Sequence, residues 1–174
     1  MDFANKTIHF IGIGGAGVSG LARVALEAGA WVSGSDIKAS ATTQALEDRG
    51  ARVFIGQRAE NLPPHIDFVV ATAAVRAGNP ELDEAVRRGL TVMKYAQALG
   101  ELTRGRANIC VAGTHGKTST TSMLAQMLRG QGAGWIVGGE PLNLEASARW
   151  GTSPHFVMES CEYDRSFLHL HPSL

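Results

Sequence analysis

Thr7-Ile8-His9-Phe10-Ile11-Gly12-Ile13-Gly14-Gly15-Ala16-Gly17-Val18 is the stretch that decides the fold. Thr7 to Ile13 is short and apolar, and Val18, Leu21, Ala22, Ala25 and Leu26 then recur at helical spacing as far as Ala28, so the order is strand, tight turn, helix. Gly29 suits a helix C-cap, and Trp31 to Ser33 reads as a second strand running out through Gly34, Ser35 and Asp36. Between the first strand and the helix, Gly12 to Gly17 satisfies GxGxxG in the context that motif requires. Missing Cβ atoms let backbone amides approach a diphosphate at a helix N-terminus, and an acid about 20 residues further on, here Asp36, commonly accepts hydrogen bonds from a ribose. Alone, this fingerprint suggests a dinucleotide such as NAD; the bland alternative is a tight turn and nothing more.

Outward from that unit the alternation continues. Thr42 or Thr43 can cap a helix to Arg49, Arg52 to Ile55 is a third strand, and Asp67 to Thr72 is the most apolar strand of all. Asn79 and Pro80 supply an N-cap and first-turn proline for a helix to Arg88; Thr91 to Met93 is a further strand and Tyr95 to Thr103 a helix. Strands alternating with helices imply a parallel sheet covered on both faces, a Rossmann-like α/β domain over residues 1–104.

Near residue 105 a second unit opens. Asn108 to Ala112 is a fresh strand, Gly113-Thr114-His115-Gly116-Lys117-Thr118-Ser119 a glycine loop, and Lys117 to Leu128 a helix, the arrangement of a phosphate-binding P-loop. Backbone amides would cradle phosphate, Lys117 would neutralise β/γ oxygens, and the Thr118 hydroxyl would bind magnesium, a hard cation. Val111 stands where GxxxxGK[ST] has its first glycine, so the general motif is missed. An acid at a neighbouring strand end is also needed for the metal, and Phe156-Val157-Met158-Glu159 provides one; Trp135 to Val137 is another strand. Residues 105–174 are therefore read as the beginning of a P-loop α/β domain that is not completed by Leu174.

Composition narrows the classes. Lys plus Arg equals Asp plus Glu at 16 each in 174 residues, so no net positive field gathers nucleic acid or anionic lipid. Cys110 and Cys161 lie far apart without CxxC spacing, which argues against a disulfide scaffold or thiolate zinc site and fits a reducing cytoplasm. No apolar run approaches the roughly 20 residues of a membrane span, and Met1 to Thr7 lacks the pattern of a signal peptide. His169 and His171 alternate on a possible strand but read as a surface pair; His9, His65 and His155 read as structural. Met123 and Met127 are placed on the core-packing face of their helix, and Arg87-Arg88 on a solvated helix end.

GIGGAGVSGLA at Gly12 to Ala22, SGSD at Ser33 to Asp36, AGTHGKTS at Ala112 to Ser119 and ESCEYDRSFLHLHP at Glu159 to Pro172 together resemble the Mur ligases, in order and separation, over essentially the whole chain. The resemblance implies that the first loop takes the UDP part of a muramic acid precursor and not NAD. By motif position Gly14, Gly15, Ala16, Gly17, Val18, Ser35, Asp36, Thr72, Ala73 and Ala74 would surround the UDP-sugar. Gly113, Thr114, His115, Gly116, Lys117, Thr118 and Ser119 would hold ATP, Lys117 and Glu159 would be catalytic, and Thr118 and Glu159 would share Mg2+. His115 points to the branches that add L-alanine to UDP-N-acetylmuramate or reattach a whole tripeptide; the first is favoured on GIGGAGVSGLA and SFLHLHP, while VGGEPLNLEASARWG at Val137 to Gly151 resembles the second. Cys161 departs from the aspartate usual there, whereas Glu162 and Asp164 match acids of the family.

The reaction so implied runs through an acyl phosphate, formed with release of ADP when a carboxylate attacks the γ-phosphate of ATP and converted to the amide when the amine of L-alanine attacks its acyl carbon and expels phosphate. A chain with only the start of the ATP-binding domain is expected to bind UDP-sugar without ligating. Two other classes stay open at this level: a non-catalytic nucleotide-diphosphate-binding module, against which an intact Gly-Lys-Thr with Glu159 argues, and an NAD-dependent oxidoreductase, for which no hydride-transfer constellation is evident.

Overall fold

Period-two patterning sorts the central strands between two apolar layers. The computed structural model describes residues 3–139, 141, 143–161 and 167–174. Strands β1 (Thr7–Ile11), β2 (Trp31–Asp36), β3 (Arg52–Ile55), β4 (Phe68–Ala71) and β5 (Thr91–Lys94) form a wholly parallel sheet ordered β3-β2-β1-β4-β5. On β1, Ile8 and Phe10 join a core built with α1 (Ala16–Glu27) and α4 (Tyr95–Leu102), while Ile11 joins Val69, Ala71 and Ala85 beneath α3 (Pro80–Arg87) on the other face. The expected α/β class, with helices on both faces, is what the chain adopts. One cap differs: Ser40, not Thr42 or Thr43, caps α2 (Ala41–Glu47), because the Thr43 hydroxyl reaches back to complete a reciprocal capping box with Ser40.

The second sheet is ordered β6-β9-β7-β8, from β6 (Ala107–Val111), β7 (Gly134–Ile136), β8 (Ala148–Arg149) and β9 (His155–Glu159); β8 runs antiparallel to β7, and sequence reading missed it. Helix α5 (Lys117–Leu128) turns Thr121 and Ala125 inward. That corrects the placement of Met123 and Met127, which are 59% and 74% exposed: spacing identifies the helix, but the buried stripe runs through 121 and 125. The segment around His169 is also not a strand; residues 167–169 form a 3-10 turn. Arg88 does more than sit in solvent, donating to the carbonyls of Leu62 and Pro63 as well as to Glu84.

The two sheets share one core. Ile136, Ala148, Phe156, Met158 and Leu170 pack in the same cluster as Val18, Leu21, Ala22 and Ala25 of α1. Gly20 faces this contact closely, a Cβ there lying 3.3 Å from Ala148 Cβ and 3.5 Å from an Ile136 methyl. At the end of α1, Glu27 accepts from the backbone N–H of Trp150 at 2.8 Å.

A buried polar knot ties the first sheet to α3. Asn79 caps the helix through the amides of Glu81 and Leu82, Pro80 takes the first turn, and Glu81 is wholly buried against the sheet. Ser35 Oγ donates to Glu81 Oε2 at 2.5 Å, Asn61 Nδ2 to Oε1 at 2.5 Å and the amide of Arg58 to Oε1 at 3.3 Å. His9 Nε2 lies 3.6 Å from Oε2, and its Nδ1 is 2.9 Å from Ser33 Oγ. Burial pushes the Glu81 carboxyl up, but His9, Ser35 and Asn61 outweigh it and hold the group below the ordinary glutamate value. A carboxylate depressed on folding contributes stability that is full above the ordinary glutamate range and fades as pH falls through the folded-state value. Glu81→Ala is expected to lower the unfolding free energy by about 3 kcal/mol, since several buried donors lose their acceptor. Denaturant unfolding at neutral pH and below about pH 4 checks the charge: Glu81→Gln should show a weaker acid dependence than the unaltered chain, and identical dependences would contradict this account.

Candidate functional site

Two glycine loops lie at the C-terminal ends of the two parallel arrangements, where helices that follow strands leave open crevices. In the first, Gly12 has φ +81° and a Cβ would sit 2.3 Å from a Thr72 methyl carbon, so the end of β4 crosses directly beside the turn. Ser35 O accepts from the amides of both Gly12 and Ile13, at 2.8 and 2.9 Å. The Gly14 amide donates to Asp36 Oδ2 at 2.8 Å and the Ile37 amide to Oδ1 at 2.8 Å. Asp36 therefore shapes the loop while each oxygen keeps a second lone pair for a ligand. Gly15 is the N-cap of α1, whose first-turn amides have no intrahelical acceptor.

Most of these residues line one or other of two cavities that share Gly15 and Thr72; Gly14 lines neither. One, of about 600 Å³, is lined by Gly12, Asp36, Gln57, Ala74 and Asn79; the other, of about 380 Å³, by Ala16, Gly17, Val18, Ala73, Tyr95 and Glu159 among others. Ser35 opens into neither, being fully buried with its hydroxyl on Glu81.

The second loop joins β6 to α5. Gly113 and Gly116 have φ +149° and +76°, Gly116 is the N-cap of α5, and residues 112–116 are exposed. Lys117 Nζ donates to Gly113 O at 2.5 Å, so the ammonium folds back across the loop. Parallel pairing sets Glu159 opposite Val111, at the mouth of this loop. Glu159 Oε1 accepts from the Gly138 amide at 2.8 Å, while a Cβ on Gly139 would lie 3.4 Å from the Thr118 methyl; the Gly138–Gly139 turn thus holds Glu159 and passes beside Thr118. A hydroxyl and a carboxylate are hard oxygen donors of the kind magnesium takes. Among the described residues no cluster of three or more His, Cys, Asp or Glu could hold a metal, so such an ion would lean on these two and on its other ligands. Glu162 and Asp164 lie outside the described residues.

Tyr95, which no motif singled out, begins α4 and lines the smaller cavity. Burial, and then the charges of Glu159 and Cys161, raise its phenol well above the ordinary tyrosine value, so it is a donor. Cys110 and Cys161 are both free thiols, and no helix among the described residues is long and apolar enough to cross a membrane.

Comparison with known proteins gives this geometry a relationship. The model of the Mur ligase family, catalytic domain, matches residues 7–107. UDP-N-acetylmuramate–L-alanine ligases of Clostridium kluyveri and Chlorobium phaeobacteroides are each 46% identical, over 97% and 100% of this chain, which spans only 37% and 38% of their lengths. Among solved structures, UDP-N-acetylmuramate:L-alanyl-gamma-D-glutamyl-meso-diaminopimelate ligase from Neisseria meningitides superposes with a TM-score of 0.89 at 37% identity, covering 97% of this chain and 59% of that one. UDP-N-acetylmuramate-alanine ligase from Thermotoga maritima gives 0.82 at 30% identity, covering 95% and 39%. The chain belongs to the Mur ligase family.

Proposed function

We propose that this chain carries the UDP-sugar site and the ATP phosphate site of an enzyme that joins L-alanine to UDP-N-acetylmuramate in peptidoglycan synthesis, residues 1–104 forming the first and 105–174 the start of the second. The observation that carries the reading is the 380 Å³ cavity, because the loop residues Gly15 to Val18 and the P-loop acid Glu159 line the same space. A ligand bridging the two cavities would place its nucleotide by Asp36 and Gln57, its diphosphate at the α1 N-terminus and its sugar toward Glu159. Identity of 46% to L-alanine ligases favours L-alanine as the amine. Likeness to the tripeptide ligase supports a second reading, in which an intact tripeptide is attached. Free thiols fit a cytoplasmic setting.

In such a reaction the sugar-borne carboxylate takes the γ-phosphoryl group of ATP with release of ADP, and the amine then attacks the acyl carbon of the resulting acyl phosphate, forming the amide and expelling inorganic phosphate. Carboxylate and triphosphate repel, and the residues present answer that problem. Lys117 sets a cation across the loop, the first-turn amides of α5 face the phosphates, and the cavity holds the carboxylate out of bulk water where these charges act more strongly. Thr118 and Glu159 would hold Mg2+, which would offset phosphate charge.

Calorimetric titration tests the first half: saturable binding of UDP-N-acetylmuramate without NAD binding is expected, and NAD binding alone would refute the assignment. Asp36→Ala should weaken UDP-sugar binding by about tenfold, through loss of the Gly14 anchor and of a ribose acceptor. For the second half, Lys117→Ala is expected to reduce Mg·ATP affinity at least about tenfold, measured by competition with a fluorescent ATP analogue. An unchanged affinity would remove Lys117 from the site.

A further inference from the structure

Tyr95 has a position that the two-loop reading leaves without a role. It follows β5 directly, so it stands at the C-terminal edge of the parallel sheet, and its side chain enters the cavity between Gly17 and Glu159. The hydroxyl-bearing end of the ring lies against the first turn of α1, where a Cβ on Gly17 would be 3.3 Å from its Cζ and 3.4 Å from a neighbouring ring carbon. Glycine at 17 thus serves the ring as well as any phosphate, and the ring cannot swing toward α1. Around it the wall is apolar, from Ala96, Leu99 and Leu170. One oxygen of Glu159 already accepts from the Gly138 amide. A small apolar wall beside a fixed phenol suits a group that pairs a methyl with an acceptor oxygen, as an acetamido or lactyl substituent does.

We propose that Tyr95 is a specificity-determining residue, its hydroxyl donating to an acceptor oxygen on the non-nucleotide half of the ligand, an N-acetylated sugar acid. This rests on the UDP-sugar reading given above. The interaction selects the sugar and leaves the uridine diphosphate untouched, since on that reading the nucleotide would lie beyond Gly15 and Thr72, in the cavity lined by Asp36 and Gln57.

The full chain and its Tyr95→Phe variant, which keeps the ring against Gly17, are titrated with UDP-N-acetylmuramate and with UDP, and their melting temperatures compared. The variant is expected to bind UDP-N-acetylmuramate about tenfold more weakly, to bind UDP within about twofold of the unaltered chain, and to melt at the same temperature. Equal loss for both ligands would mean that Tyr95 only shapes the loop, and no loss for either that it touches neither; each overturns the proposal. If the unaltered chain binds UDP no more weakly than UDP-N-acetylmuramate, the sugar contact is refuted while the nucleotide site stands. Binding of neither ligand would refute the UDP-sugar reading itself, and this proposal with it.

Discussion

Helix α1 is packed on two sides, and most of what the molecule can do follows from that. Its Ile8- and Phe10-facing side closes the first sheet, and its Gly20 side receives Ala148 and Ile136 of the second. A helix in such a place needs small and apolar residues around most of its circumference, which is why Val18, Gly20, Leu21, Ala22, Val24 and Ala25 are all buried. Because the same helix begins at Gly15, the first glycine loop is held in register with the sheet that bears Glu159. The cavity lined by both is a product of helix packing before it is a product of any ligand.

Much of this was legible in the residues. The β1-α1-β2 unit and the P-loop strand and helix announce themselves through short apolar runs bounded by glycines that must take positive φ, and Asn79-Pro80 marks the start of α3 through its capping chemistry. What stayed hidden was of another kind. Strand β8 is two residues long and exists only because β7 offers an edge, so it has no pattern of its own. The direction of α5 depends on which stripe the sheet covers, and that left Met123 and Met127 outside. Tyr95 belongs to no motif, and only the arrival of β9 across from it makes its position matter. Ser35 fell within a recognisable SGSD segment, yet strand alternation turns its side chain to Glu81 and leaves its carbonyl to hold the glycine loop.

The buried carboxylate of Glu81 shows how the Asp36 end of the crevice is made rigid. Its partners come from β1, β2 and the turn before β4, and Asn79, which caps its helix, also donates to Gln57 at 2.7 Å. An isolated buried charge would be costly; one with several donors and a helix N-terminus behind it becomes a fastening point.

Lys117 offers a last consequence. Its ammonium folds back onto Gly113 O, so the side chain is partly ordered across the loop. An anion arriving there would meet a lysine already partly ordered, and so would be spared part of the up to about 2 kcal/mol that fixing such a side chain costs.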